Sequence, residues 1–340
     1  MSIRPRLLLV VVAIAAILGM GAYMYLDRWQ RAAIFSIELG ESRWWREPPE
    51  RTEIFDIGVA KKDAIRAWYL PHANAAAPTV LYLHGSRWNL NSSVFRIERL
   101  AQLGFSVLAI DYRGFGESSP ILPSEFSATQ DALAALDELQ RRQPHAGRRF
   151  VYGHSLGGAV AVALATQADK EAFAGLILES TFTSTRAMIA HTRYGSIPGL
   201  HLFVTQSFDS LSRIKSVKQP ILFLHGTNDN VIPHTMSDAL FAAASANTAS
   251  VETASANTAS ANTVSQNRGA LRRLVKIEGA SHSGASRSGT VYEEAIMGFI
   301  AECCSTSPSG AKKRLRISDR PNMVSRLSSR SVALRRGRFL

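Results

Sequence analysis

The chain has 340 residues, 46% of them hydrophobic, which is enough for one large packed domain with extensions; its two cysteines, Cys303 and Cys304, are adjacent, which excludes a disulfide framework. The formal net charge is +12, but the stretch from Ser305 to Leu340 holds ten Lys or Arg residues and a single acid, Asp319, so three-quarters of the net charge belongs to a tail. With no zinc-finger spacing and no RNP-type aromatic pattern, no specific nucleic-acid binding is expected, and the tail is expected to meet anionic membrane or other polyanions.

Leu7 to Leu26 carries no charge over twenty residues. As a helix it spans about 30 Å, the thickness of a hydrocarbon core. Arg4 and Arg6 precede it, and Tyr23, Tyr25 and Trp29 stand where an interfacial aromatic belt lies. The run is too long for the apolar region of a signal peptide, so residues 7–26 are expected to be a retained single-pass anchor. Residues 1–6 are then expected in the cytoplasm and the bulk of the chain outside, although Arg28 and Arg31 pull against that orientation. Residues 27–50 read as a linker.

From Arg51 to Ile300 strand-like and helix-like patterns alternate. "TEIFDIGV" and "AIRAWYLP" predict a hairpin. "TVLYLHG" is a continuous apolar run that predicts a fully buried strand. Ser92 to Leu103 reads as a helix stopped by Gly104, "FSVLAIDYRG" as a strand, and Thr129 to Arg142 as an amphipathic helix. "RRFVYG" leads into a helix from Ser155 to Ala168. "AGLILES", "ILFLHG" and "RRLVKIEG" complete the strands, and Val291 to Ala301 a last helix. Strands separated by helices imply an α/β architecture: a mostly parallel sheet covered on both faces. Residues 182–217 break the rhythm and read as a small cap. Residues 245–265, in which "SANTAS" occurs twice, are too small and polar to bury a core and read as a disordered insert in a surface loop. Residues 301–340 read as a basic, disordered tail.

Gly153-His154-Ser155-Leu156-Gly157 matches G-x-S-x-G between a buried strand and a small-residue helix. Gly153 and Gly157 remove side chains that would collide in the tight reversal, so the serine hydroxyl projects above the sheet. A serine there is a candidate nucleophile, and the following helix aims its N–H groups at a developing oxyanion. Capping alone would explain the hydroxyl but not the flanking glycines. Serine needs a base. His282, in "KIEGASHSG", follows the last strand and is expected at the same sheet edge. His84 and His225 end strands and read as structural, and His154 is expected to point away from the serine. The base needs a carboxylate, and Asp229, in "TNDNVIP", is the candidate; Glu179 is the runner-up, while Asp111 reads as a local backbone partner. The oxyanion donors are expected to be the backbone N–H groups of Leu156 and Ser86, with Gly85 allowing close approach. No histidine pair has the helical i, i+4 spacing with a glutamate that would suggest zinc, so no metal is expected.

Together "VLYLHG", "LAIDYRGFGES", "VYGHSLGGAVAVALA", "LILESTFTS" and "ILFLHGTNDNVIP" resemble the α/β-hydrolase superfamily, and within it the membrane-anchored ABHD-type and serine aminopeptidase-like hydrolases. The resemblance covers about Arg51 to Ile300. It implies an α/β-hydrolase fold and a cofactor-free serine hydrolase of esters, thioesters or amides. "HGSRWNLN" and "GASHSG" depart from the more usual His-Gly-Asn-Ala-Gly-Asn and Gly-Gly-His-Asn. The expected substrate is a small-molecule or lipid-derived acyl compound. The alternatives are a serine aminopeptidase-type peptidase, which needs an acidic group for the substrate amine, and a non-catalytic binding protein on the same scaffold.

Overall fold

Uninterrupted apolar runs form the middle of one sheet. Every residue of β3 (Thr79–Leu83), β4 (Ser106–Ile110), β5 (Arg149–His154), β6 (Gly175–Glu179) and β7 (Ile221–Gly226) is buried, as expected of strands covered on both faces. The computed structural model describes residues 5–38, 40–60, 62–192, 195–246, 251–252, 262–265 and 271–305. Together with β10 (Arg272–Ile277), these strands run parallel in the order β4-β3-β5-β6-β7-β10. The hairpin of β1 (Glu53–Ala60) and β2 (Asp63–Leu70) adds antiparallel to β4 at one edge.

Helices α3 (Glu125–Arg142), α4 (Leu156–Gln167) and α7 (Thr235–Ser245) pack against one face, and α2 (Val94–Gln102) and α8 (Thr290–Ser305) against the other. α3 starts before the Thr129 indicated by its periodicity. Ser124 and Ser127 explain this: each side chain accepts from the other's backbone N–H, at 3.0 Å and 2.8 Å, which closes the first turn. The cap stretch is built of short helical pieces, including α5 (Thr185–Ala190) and α6 (Ser210–Arg213), and has no strand among its described residues.

Two expectations need correction. The helix expected as an anchor, α1 (Pro5–Phe35), continues nine residues past Leu26 into the stretch read as a linker. Phe35 is fully buried, with ring centroids 6.3 Å from Phe115 and 6.0 Å from Phe208, and this apolar burial holds the extra turns helical. The insert is also not wholly structureless. β8 (Val251–Glu252) and β9 (Asn262–Ser265) pair antiparallel beyond β10. An open sheet edge offers unpaired N–H and C=O groups that small polar residues satisfy through their backbone alone. The rest of the insert, the N-terminal Arg4 and residues 306–340 lie outside the described residues.

Beneath the C-terminal edge lies a buried ionic network. Arg96 Nε donates to Glu179 Oε2 at 3.1 Å, the Tyr152 hydroxyl donates to the same carboxylate, and the Tyr152 and Tyr292 hydroxyls are 3.0 Å apart. Burial opposes charge on Arg96, but Glu179 outweighs it and keeps the guanidinium protonated. Removing one member of a buried pair strands the other, whereas removing both does not. Arg96→Leu is therefore expected to cost about 3–5 kcal/mol of stability, and Arg96→Leu with Glu179→Leu to recover most of it. Denaturant unfolding of the detergent-solubilised chain reads both; equal losses in the two variants would reject the ion pair as the cause.

Candidate active site

Four loops converge at the C-terminal ends of parallel strands, the usual location of binding crevices in such sheets. Gly85 and Ser86 follow β3, Ser155 follows β5, Asp229 lies three residues beyond β7, and His282 follows β10. Ser155 has φ +55° and ψ −120°, a conformation that L-residues rarely adopt. Neighbouring contacts hold it there. Its N–H donates to the Glu179 carbonyl at 2.9 Å, and its carbonyl accepts from Thr181 Oγ1 at 2.8 Å. A Cβ on Gly153 would stand 2.4 Å from the Gly157 carbonyl, and one on Gly157 would stand 2.1 Å from the Leu83 carbonyl. Both glycines are thus required by contact. Gly158, whose Cβ would meet Thr181 at 2.5 Å, is a third that the pentapeptide pattern does not include.

His282 Nε2 lies 3.1 Å from Ser155 Oγ, and His282 Nδ1 lies 2.8 Å from Asp229 Oδ2. The structure therefore brings the three predicted side chains into one hydrogen-bonded chain. Asp229 is fully enclosed. Its Oδ1 accepts from the N–H groups of Val231 and Ile232, each at 2.9 Å. Burial alone would raise its pKa, but hydrogen bonds from His225 and His282 outweigh burial and hold the carboxyl well below its ordinary value.

His225 was read as merely structural, yet it touches the chain. Its Nε2 lies 3.1 Å from Asp229 Oδ2 and 3.0 Å from the Ile232 carbonyl, and its Nδ1 lies 2.6 Å from Ser237 Oγ. Two acceptors facing Nε2 place the proton there. The spacing His225–Asp229, four residues across the β7 turn, is the signal that could have found it.

His154 does not stand apart from the site, as expected from its neighbour's outward aim. Its Nε2 lies 3.2 Å from the His282 carbonyl, and the two rings are 5.1 Å apart. Burial first, then the charges of Arg96 and His282, push its pKa well below that of free imidazole, so it supports the His282 loop as a neutral donor. The runner-up Glu179 is committed to Arg96 and Tyr152. Asp111 accepts from Leu90 N–H at 2.9 Å, and its carboxylate lies 3.2 Å from His84 Nε2.

Leu156 opens α4, where backbone N–H groups have no intrahelical partner. Gly85 packs on the serine: a Cβ there would stand 3.2 Å from Ser155 Cβ. Beyond it, Arg87 N–H donates to the Phe35 carbonyl at 2.8 Å and Trp88 N–H to the Ser86 carbonyl at 3.1 Å. A cleft of about 330 Å³ opens beside Asp229, walled by His191 of the cap and by Asn230, Val231 and His234. Among the described residues no cluster of His, Cys, Asp and Glu could hold a metal ion.

Residues 74–207 match the family model described as serine aminopeptidase, S33. The chain is 34% identical over 253 residues to the uncharacterized protein Rv2307c of Mycobacterium tuberculosis, covering 72% of this chain and 86% of that one. It is 31% identical over 225 residues to the alpha/beta hydrolase domain-containing protein WAV2 of Arabidopsis thaliana, covering 61% of this chain and 72% of that one. Among solved structures, the Pyrococcus furiosus esterase Pf2001 superposes with a TM-score of 0.56 at 17% identity, over 78% of this chain and 97% of that one. A puromycin-hydrolyzing peptidase of Mycobacterium tuberculosis gives a TM-score of 0.56 at 19% identity, over 77% of this chain and 40% of that one. The fold is that of an α/β hydrolase. The chain belongs to the α/β-hydrolase superfamily.

The lowered pKa of Asp229 fixes a sign. A depressed carboxyl contributes stability that is complete above the unfolded value of about 4 and is lost as pH falls toward the folded value. Melting temperature is expected to fall more steeply between pH 4 and pH 2 for the wild type than for Asp229→Asn. Parallel curves would show that Asp229 is not preferentially ionised in the folded state.

Proposed function

We propose that this chain is a membrane-anchored serine hydrolase that cleaves an acyl ester or thioester through an acyl-enzyme. The observation that carries the reading is the chain from Ser155 Oγ through His282 to Asp229, with contacts of 3.1 Å and 2.8 Å, on a serine held at φ +55°. Ser155 Oγ attacks the substrate carbonyl while its proton passes to His282 Nε2. Asp229, ionised, fixes the proton on Nδ1 and stabilises the imidazolium. The N–H groups of Leu156 and Ser86 receive the oxyanion. The intermediate collapses, and Nε2 returns the proton to the leaving alcohol or thiol. Water then attacks the acyl-enzyme with His282 again as base, releasing the acid and restoring the serine. His225 acts as a positioning residue by holding Asp229 from the side opposite His282.

The commitments of Asp229 support an ester over an aminopeptidase substrate. A peptidase of that type needs a carboxylate for the free amine, and Asp229 is already bonded by two histidines and two backbone N–H groups. The anchor rests on the uncharged stretch of α1, whose apolar side chains are exposed. The basic residues before it, Arg4 and Arg6, favour the extracytoplasmic side for the domain, against the pull of Arg28 and Arg31 beyond it. The membrane gives the acyl substrate a lipid-derived source.

Ser155→Ala is expected to lower kcat by about 10⁶-fold on p-nitrophenyl esters. A fluorophosphonate probe should label the wild type and spare the variant. Retained turnover or labelling in the purified variant would refute the mechanism. kcat/KM should rise with pH between pH 5 and 8, because the imidazole must be neutral to take the serine proton. Since Asp229 stays ionised throughout, a flat profile from pH 5 to 8 would remove His282 as the base.

A further inference from the structure

The anchor helix does not hang from the domain by a loose tether. Gln30 Nε2 donates to the Phe203 carbonyl at 2.7 Å, and Gln30 Oε1 accepts from Thr205 N–H at 2.9 Å. Gln206 Nε2 donates to Asp27 Oδ1 at 2.8 Å, and Arg31 Nε donates to the Pro123 carbonyl at 2.9 Å. With Phe35 buried below them, these contacts fix the direction of α1 relative to the catalytic domain. The depth at which the domain rides on the bilayer is then set by geometry. Gln30 lies only about 6 Å along the axis beyond Leu26, where the uncharged stretch ends.

Exposed apolar side chains flank these contacts. Leu202 and Phe203, next to the carbonyl that Gln30 grips, are 67% and 62% exposed, and Ile197 in the same cap segment is 49% exposed. Phe126, at 74%, follows Glu125, whose N–H donates to Gln206 Oε1 at 2.8 Å. Trp29, one residue before Gln30, is 51% exposed. Solvent-facing Phe and Leu gathered at one level are costly in water and suited to the boundary between headgroups and acyl chains.

We propose that the rim formed by Ile197, Leu202, Phe203, Phe126 and Trp29 is seated in the bilayer interface that α1 enters. This rests on the anchored-hydrolase reading above. The occupant is the lipid surface because the rim is continuous with the membrane helix and bonded to its last turns. The same cap segment carries His191 at its other end, against the cleft beside Asp229. An ester whose acyl chain lies in the bilayer therefore meets the cap before it meets bulk water.

The test uses the full chain in phosphatidylcholine–phosphatidylglycerol vesicles, in a Cys304→Ser background that removes the exposed cysteine. Environment-sensitive fluorophores are placed at Phe203→Cys, at Met20→Cys within α1, and at Met297→Cys on α8 across the sheet. Lipids carrying a nitroxide high on the acyl chain serve as quenchers. Strong quenching at positions 203 and 20, several-fold above position 297, supports the proposal. Quenching at 20 with none above background at 203 overturns it while leaving the anchor intact; no quenching at 20 removes the anchor and the proposal with it. Shielding at 203 that is lost on dilution would assign the rim to a second copy and also overturn it. Leu202→Asp with Phe203→Asp should lower kcat/KM about tenfold on a long-chain ester in vesicles and leave a water-soluble acetate ester unchanged. An equal loss on both esters would count against the rim. A wild type inert on both would refute the hydrolase reading alone, since the quenching result stands apart from turnover.

Discussion

The rest of the site depends on how closely the start of α4 approaches the end of β3. Gly157 leaves its Cα against the Leu83 and His84 carbonyls, where any Cβ would come within 2.5 Å of both oxygens. That contact sets the angle at which the chain leaves β5, and the angle forces Ser155 to positive φ. A strained residue of this kind costs about 1–3 kcal/mol and persists only where its surroundings over-determine it. Here the bonds from Ser155 to Glu179 and Thr181 and the packing of Gly158 on Thr181 do so. The hydroxyl faces His282 because the backbone has no other way to turn.

Behind the serine, charge is arranged in two compartments that do not exchange partners. Glu179 sits opposite His154 in the β5–β6 register, one residue from the serine's own strand position, and is fully buried. A buried carboxylate there is chemically able to serve a histidine, but Arg96 takes it. The buried guanidinium in turn needs that anion, since an unpaired charge in such a place is far more costly than the pair. Asp229 is left to the imidazoles. Its carboxylate is closed off from solvent and stays ionised because two backbone N–H groups and two ring nitrogens replace the water it has lost. The neutral His154 separates the compartments and holds the His282 loop from below.

The sheet was legible because its strands are uninterrupted apolar runs, a pattern that survives without any tertiary information. The three site residues were legible for a related reason: each follows such a run, and parallel strands present all those turns at one edge. What escaped notice has a weak local signature or none. His225 ends "ILFLHG" just as His84 ends "LYLHG", and only the four-residue spacing to Asp229 across the following turn sets it apart. The extension of α1 to Phe35 was hidden because Asp27, Arg28, Gln30 and Arg31 interrupt the apolar pattern. Their polar side chains look solvated in the sequence, yet Asp27, Gln30 and Arg31 bond to loops 92 to 179 residues distant. The edge strands of the insert depend on backbone pairing to β10, to which side-chain composition is blind.

The docked end of α1 also reaches the loop proposed to carry the second oxyanion donor. Arg87 has φ +82°, its N–H donates to the Phe35 carbonyl, and its carbonyl accepts from Glu38 N–H at 2.9 Å. Ser86 is therefore flanked by Gly85, which is pressed on Ser155, and by a residue fastened on both sides to the chain that leaves α1. The departure of "HGSRWNLN" from the more usual family stretch falls at this junction. A shorter or more flexible loop would suffice to present one N–H group. A loop that must also receive a helix end needs backbone committed in both directions, and Arg87 supplies it. The position of the proposed donor is thus set jointly by the turn at Ser155 and by the docked end of α1, so the N-terminal helix contributes to the shape of the site.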